Sequence, residues 1–240
     1  MTYINRDNLF DFAFLNEDTL RRPLRGIAVS FHGYSDATML EKSPEEARVL
    51  GEAGIAWVFP YYSVWAWMSK SSQIFNEQVL DAVYDRLGAP DSIPLVITGG
   101  SMGGLTALNY LVYGKRPATA CAVNCPVTDM CEVFENRPAV RRAILAAHIT
   151  EERTLGDILA HHSPCRFVDR LPKIPYLFLY GERDERYTHI QMPPMKKALE
   201  ASGLDYTITI WPNMEHCDFA NHPDARQYYC RFILSAIDGR

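Results

Sequence analysis

The sequence predicts an α/β fold, doubly wound around a mostly parallel sheet with helices on both faces. Three observations carry that expectation. Short apolar, β-branched or aromatic runs recur at residues 25–31, 55–59, 95–98, 119–124, 175–180 and 206–211, most of them without the alternation that a half-wet sheet would show. Stretches of helical periodicity separate them, as βαβ units require. At 240 residues the chain is long enough for one such domain with a large core.

Residues 1–24 carry the weakest signal, and the loose alternation from Leu9 to Leu15 fits at most an edge strand. Residues 25–31 form the first clear strand, ended by His32-Gly33-Tyr34-Ser35-Asp36. Ser43-Pro44-Glu45-Glu46 reads as a helix start, with Ser43 as N-cap, proline at the first position and acids in the first turn. That helix stops near Gly51 to Gly54, and the strand at 55–59 follows. An aromatic loop holds Tyr61, Tyr62, Trp65 and Trp67, and a long amphipathic helix then sets Ile74, Val79, Val83 and Leu87 on one stripe. The strand at 95–98 leads into a helix spaced by Leu105, Ala107, Leu108 and Leu111, and another buried strand occupies 119–124. Residues 126–172 break the rhythm: polar, helical and strandless, they read as an insertion or cap ahead of the strand at 175–180. A helix around Met195 to Ala201 and a strand at 206–211 precede the closing helix, about 225–237. With no repeat, low-complexity tract or linker, residues 1–240 make one domain.

Composition narrows the classes of function. The hydrophobic share is 48% and the charged share 22%, those of an ordinary globular protein. A formal charge of −5 without a basic run argues against nucleic acid or an anionic membrane surface as partner. Asn5-Arg6-Asp7 and Asn16-Glu17-Asp18 interrupt every apolar run near Met1, so no signal peptide is expected, and no window reaches the length of a membrane span. The six cysteines contain no C-x-x-C pair and are expected as reduced, mostly buried thiols of a cytoplasmic protein. Cys121-x-x-x-Cys125 sits in an apolar strand-like run, which speaks against zinc there. No metal and no organic cofactor is expected.

The chemistry centres on Gly99-Gly100-Ser101-Met102-Gly103. Strand, sharp turn and helix, with a serine at the apex, make a nucleophile elbow of the form G-x-S-x-G. Glycines at 99 and 103 are needed because side chains there would collide with the neighbouring strand and helix. Serine at its ordinary pKa is a poor nucleophile, so a base must reach its hydroxyl and a third group must orient that base. Open α/β sheets gather ligands at the carboxyl ends of their strands. Asp184 follows the strand ending at Tyr180, and His216 follows the one ending at Trp211. Ser101, Asp184 and His216 are therefore the expected nucleophile, acid and base. Glu182, Glu185 and Glu215 compete for the acid role but are expected in solvent. His161, His162, His189 and His222 read as surface residues, and His32 as a residue holding its loop.

Donors for a developing oxyanion are expected from the backbone N–H groups of Met102, at the helix start, and Tyr34, in the loop after the first clear strand. Tyr34, Tyr61, Trp65 and Trp67 are the candidate walls of a substrate pocket, all placed after strand ends.

Taken together, His32-Gly33-Tyr34, the Gly-x-Ser-x-Gly motif, Gly181-x-x-Asp184 and His216 resemble the α/β-hydrolase superfamily over about residues 25–237. Within it, Cys125-Pro-Val-Thr-Asp-Met130, His162-Ser-Pro164 and Leu171-Pro-Lys-Ile-Pro175 resemble the catalytic domain of the prolyl oligopeptidase (S9-like) group. That resemblance implies nucleophile, acid and base at Ser101, Asp184 and His216. Two departures stand out: the chain leaves no room for the group's propeller, and its histidine lies in Asn-Met-Glu-His in place of the commoner Gly-x-x-His. Stand-alone members of this kind resemble carboxylesterases more than peptidases. The expectation is a serine esterase acting on small-molecule esters through an acyl-enzyme. An S9-like peptidase acting on short peptides or acyl-amides is the runner-up, and a non-catalytic small-molecule binder is the rival from another class. Homo-oligomerisation is left open.

Overall fold

The computed structural model describes residues 3–239. Its seven-stranded sheet runs in the order β1 (Ala13–Leu15), β3 (Ile55–Pro60), β2 (Gly26–Phe31), β4 (Leu95–Gly100), β5 (Ala120–Asn124), β6 (Tyr176–Gly181) and β7 (Tyr206–Trp211). Every neighbouring pair is parallel except β1 with β3, which is antiparallel and sets Leu15 opposite Val58. Successive side chains of a strand point to opposite faces. Thus Ile27, Val29 and Ile97 enter one core cluster while Ala28 and Val96 enter the other.

Each face needs helices because each face is apolar. On the Ala28–Val96 side, α1 (Glu45–Glu52) supplies Ala47 and Leu50, and α8 (Pro223–Ile237) supplies Tyr229 and Ile233. On the other side lie α2 (Lys70–Leu87), α3 (Met102–Tyr113) and α7 (Met192–Glu200), through Val79, Leu105 and Met195 among others. The doubly wound architecture expected from the sequence is what forms.

Local chemistry explains where the elements begin and end, and corrects two expectations. Ser43 does not cap α1: its hydroxyl bonds the Asp18 carboxylate at 2.5 Å and lies 3.1 Å from the Thr19 hydroxyl, and Pro44 takes the cap position without a side-chain bond. The helix keeps its dipole complement in Glu45 and Glu46. One member of the stripe expected for α2 departs: Ile74 is 49% exposed, while Val79, Val83 and Leu87 are buried as expected, with Leu80, Asn76 and Glu77 beside them. Ser69 caps that helix, and Gly88 closes it at φ +61°, a left-handed conformation that glycine adopts without a side-chain clash.

The weak signal at 9–15 resolves into a 3-10 turn, Leu9–Asp11, and the short strand β1. Asn16, fully buried just beyond β1, locks this edge. Its amide donates to the carbonyls of Ala47 (2.8 Å) and Ile55 (3.3 Å), and its oxygen accepts from the Trp57 N–H (2.7 Å).

Residues 126–172 are helical and strandless, as expected: α4 (Met130–Asn136), α5 (Pro138–Ala147), α6 (Leu155–His161) and two 3-10 turns, Pro164–Arg166 and Val168–Arg170. Asp129 caps α4 by accepting from Cys131 and Glu132 N–H, and the Gln191 side chain accepts from Thr128 and Asp129 N–H. Buried His148 lies 2.6 Å from both the Trp67 carbonyl and Glu151, which ties this segment to the aromatic loop. No helix among the described residues is long and apolar enough to cross a membrane.

Candidate active site

β4 ends on Gly100, α3 starts on Met102, and Ser101 between them holds φ +55°, ψ −120°. Positive φ is rare for a residue with a side chain and persists only where its surroundings over-determine it. Here the Ser101 N–H donates to the Asn124 carbonyl and the Ser101 carbonyl accepts from Val127, each at 3.0 Å. The glycines act as expected. A Cβ on Gly103 would meet the carbonyl of Phe31 in β2, and one on Gly99 would meet the carbonyl of Gly103 in α3. A Cβ on Gly33 would lie 3.8 Å from that of Ser101, so the loop after β2 passes directly beside the serine.

Asp184 sits in the loop after β6 and is 2% exposed. Its Oδ1 accepts from the N–H groups of Arg186 and Tyr187 at 3.1 Å, and its Oδ2 lies 2.7 Å from His216 Nδ1. Glu182, Glu185 and Glu215 stand in solvent, which leaves Asp184 as the buried carboxylate facing the imidazole. Burial alone would raise its pKa, but the hydrogen bond and charge of His216 outweigh it and the net shift is downward. For His216 burial opposes the charge, while the bonds to Asp184 and Cys125 oppose burial and raise the pKa to about 9. When the imidazole is neutral, with Nδ1–H on the aspartate, Nε2 carries the free lone pair.

The serine–histidine contact is not made. No hydrogen bond joins the Ser101 hydroxyl to His216 among the described residues; that hydroxyl interacts with the hydroxyl of Tyr187. The Tyr187 ring in turn stacks on the imidazole, centroids 4.4 Å apart at 29°. Ser101 and His216 thus share one neighbour. Catalytic hydrogen bonds are often long or unmade without substrate and tighten only in the complex.

The backbone N–H groups of Tyr34 and Met102 donate to no acceptor within the protein, among the described residues. Both flank the serine, one on the loop after β2 and one at the first turn of α3. The aromatic residues do not all face one crevice, which corrects the expectation. Trp67 is 1% exposed and packs 5.6 Å from the Tyr34 ring. The Tyr61 hydroxyl accepts from Leu40 N–H at 2.9 Å, and its ring packs on the opposite face of the sheet, beside Phe59. Tyr62 is core: its hydroxyl donates to the His32 carbonyl at 2.7 Å and its ring stacks on that imidazole at 3.9 Å. Only Trp65 is open to solvent, with half-buried Tyr34 nearer the serine loop. His32 holds its loop as expected, its ring nitrogens lying 2.9 and 3.0 Å from the carbonyls of Gly33 and Tyr62. His162, expected at the surface, is buried, with Nδ1 3.1 Å from the Asn109 side chain.

Sequence reasoning missed four residues at this site: Tyr187, Arg137, Cys125 and Cys217. Arg137, between α4 and α5, donates to the Tyr187 hydroxyl at 3.2 Å. Cys125 and Cys217 bring their sulfurs to the imidazole, with Cys217 Sγ 3.9 Å from Nε2. Two cavities open here. One of about 700 Å³ is polar and lined by Glu182, Arg183, Asp184, Glu185, Arg186, His189, Glu215 and His216. The other, of about 360 Å³, reaches from Gly33 and Gly100 to Phe219, Tyr229 and Ile233.

A parallel doubly wound sheet, a serine on a strained strand-to-helix turn after β4 and an aspartate–histidine pair on the loops after β6 and β7 define an α/β-hydrolase. The chain belongs to the prolyl oligopeptidase family, which its residues 56–237 match. It is 25% identical over 137 residues to the acylamino-acid-releasing enzyme of Arabidopsis thaliana, a match covering 54% of this chain and 18% of that one. An acylaminoacyl peptidase from Pyrococcus horikoshii superposes with a TM-score of 0.71 at 14% identity, over 94% of this chain and 39% of that one. Esterase B of Lactobacillus rhamnosis superposes with a TM-score of 0.69 at 16% identity, over 92% and 77% respectively. The chain therefore spans well under half the length of the peptidases it resembles and about three quarters of the esterase.

Proposed function

We propose that the protein is a serine hydrolase that cleaves small-molecule carboxylic esters through an acyl-enzyme, with Ser101 as nucleophile, His216 as base and Asp184 as the group that orients the base. The observation that carries this reading is the 2.7 Å bond between buried Asp184 and His216 on loops facing a serine held at φ +55°. Substrate entering the site draws the Ser101 hydroxyl from Tyr187 to Nε2. Ser101 Oγ then attacks the ester carbonyl as its proton passes to Nε2, and the N–H groups of Tyr34 and Met102 hold the oxyanion. The imidazolium returns the proton to the departing alcohol. Water, deprotonated by Nε2, releases the acid and restores the serine.

The likeness to esterase B, 77% of whose length this chain covers, favours esters over amides. Tyr34 and Trp65 are the aromatic walls left to the substrate, and residues 126–172 shape the pocket through the Arg137–Tyr187 bond. Six free thiols fit a reducing, cytoplasmic setting.

Family membership favours a second reading, cleavage of short peptides or acyl-amides. Matched ester and amide substrates with one acyl group separate the two: the ester reading expects turnover of the ester alone or by a wide margin, and faster amide cleavage rejects it. Ser101→Ala should abolish hydrolysis of short p-nitrophenyl esters with the circular dichroism spectrum unchanged, and a fluorophosphonate should label Ser101. Retained activity in that variant rejects the nucleophile. A folded protein that neither turns over esters nor labels is a binder on a hydrolase fold.

A further inference from the structure

Two cysteines crowd the nitrogen on which the proposed chemistry depends. Cys125 directly follows β5, and Cys217 directly follows His216 in the loop after β7. Both adopt left-handed backbone conformations, φ +45° and +55°, rare for residues with a side chain. The two sulfurs and one imidazole nitrogen all lie within 4.8 Å of one another, and Cys217 Sγ stands 3.9 Å from Nε2. In a tetrahedral zinc site, Zn–S bonds of about 2.3 Å and Zn–N bonds of about 2.0–2.1 Å set neighbouring ligand atoms roughly 3.5–3.8 Å apart. The three atoms therefore need to draw together by about 1.3 Å at most.

The outer shell of such a site is already present. A metal-binding histidine usually donates its other ring N–H to a carboxylate, which fixes the tautomer and aims the lone pair. His216 gives Nδ1–H to Asp184 at 2.7 Å and turns Nε2 to the sulfurs. Asp184 itself is held by two backbone N–H groups, so the ring has little freedom to swing away.

We propose that Cys125, His216 and Cys217 form a site for a soft divalent cation of the zinc type, and that its occupation reversibly shuts off the hydrolase. Binding replaces the two thiol protons, which leave to solvent, with two metal–thiolate bonds, and a third bond forms to the Nε2 lone pair. The fourth position is left to water. With Nε2 coordinated, Ser101 has nowhere to pass its proton. The inhibitory half of this inference rests on the reading of His216 as base; the binding half does not.

Binding is measured first on Ser101→Ala protein, which removes turnover from the readout. Cobalt(II) should give a thiolate-to-metal charge-transfer band with one ion per chain, and zinc should displace it. Cys125→Ser and Cys217→Ser should each weaken zinc binding by more than about 100-fold, beyond the loss typical of an outer-shell partner. Cys217 is half-buried, so its variant keeps the test alive if the buried Cys125 variant fails to fold. In the unsubstituted protein stoichiometric zinc should abolish ester hydrolysis, a chelator should restore it, and Cys217→Ser should lose the inhibition relative to its own metal-free rate. No charge-transfer band, affinity unchanged in both variants, or binding without inhibition of an active enzyme overturns the proposal. Activity lost to peroxide and recovered with a phosphine reductant, with no zinc response, assigns the pair to a disulfide in its place. Metal binding by a protein with no ester turnover when metal-free would reject the esterase reading and leave the binding site standing.

Discussion

Tyr187 lies flat on His216, ring centroids 4.4 Å apart, with its hydroxyl accepting from Arg137 on the side of the nucleophile candidate Ser101. The tyrosine packs the face of the base and takes a hydrogen bond from Arg137 beside the nucleophile candidate. Tyr187→Phe removes the Arg137 bond and keeps the stack, so kcat/KM should change by a factor of roughly 3–10 at most, the worth of one hydrogen bond. Tyr187→Ala also frees the imidazole to tilt. A misplacement of about 1 Å costs on the order of 100-fold in rate. Steady-state kinetics on the two variants, with KM separated from kcat, checks the order of these effects.

Replacing Asp184 by Asn keeps the shape of the pair and removes the charge. The amide then presents the wrong partner to Nδ1, and kcat should fall by about 10³–10⁴-fold, as expected where the orienting carboxylate fixes the tautomer. The same variant should lower the apparent pKa of His216, because the group that raises it is gone. A pH–rate profile measures both.

The pair also ties stability to pH. His216 has a folded-state pKa of about 9 against an ordinary 6.5, so its contribution is whole below about pH 6.5 and drains away as pH rises through about 9. Asp184 is shifted down from 3.8, so its contribution is present above that value and is lost as pH falls below it. Chemical denaturation of the parent and of His216→Asn should differ by on the order of 2 kcal/mol near pH 6 and by much less near pH 10.

Two glycines give a matched test of the elbow. Gly103→Ala drives a methyl into the Phe31 carbonyl of β2 and should destabilise by about 1–3 kcal/mol, lowering Tm by several degrees. Gly156→Ala, inside α6 with nothing within 4 Å of the new methyl, should be neutral or stabilise by up to about 1 kcal/mol. Calorimetry on both variants distinguishes steric demand from a general cost of changing glycine.

Much of this was legible from residue order because it is local. The β-branched runs marked six of the seven strands, and Gly99 and Gly103 marked a turn whose neighbours leave no room for side chains. Asp184 and His216 could be found from their offset to strand ends. Tyr187 carried no such mark, since an aromatic three residues past the acid has nothing in sequence that aims it at a histidine 29 positions away. Cys125 and Cys217 were opaque for the same reason: the approach exists only because β5 and β7 end at one rim of the sheet. Ser43 failed as a cap because Asp18, 25 residues earlier, competes for its hydroxyl. His162 failed as a surface residue because Asn109 of α3 offers it a buried partner. Ile74 alone left the stripe of Val79, Val83 and Leu87, because the face that α2 buries is chosen by what lies beneath it.

The short antiparallel β1 matters out of proportion to its three residues. A parallel sheet of this type has two rims, each a row of amides able to recruit a stranger's backbone. At one edge β1 covers that row on β3, and Asn16 fastens it to α1 and β3. With three residues β1 offers a stranger little to pair with, whereas β7 at the other edge presents six, so strand addition is expected first at β7, and loss of the Asn16 fastening would bare β3.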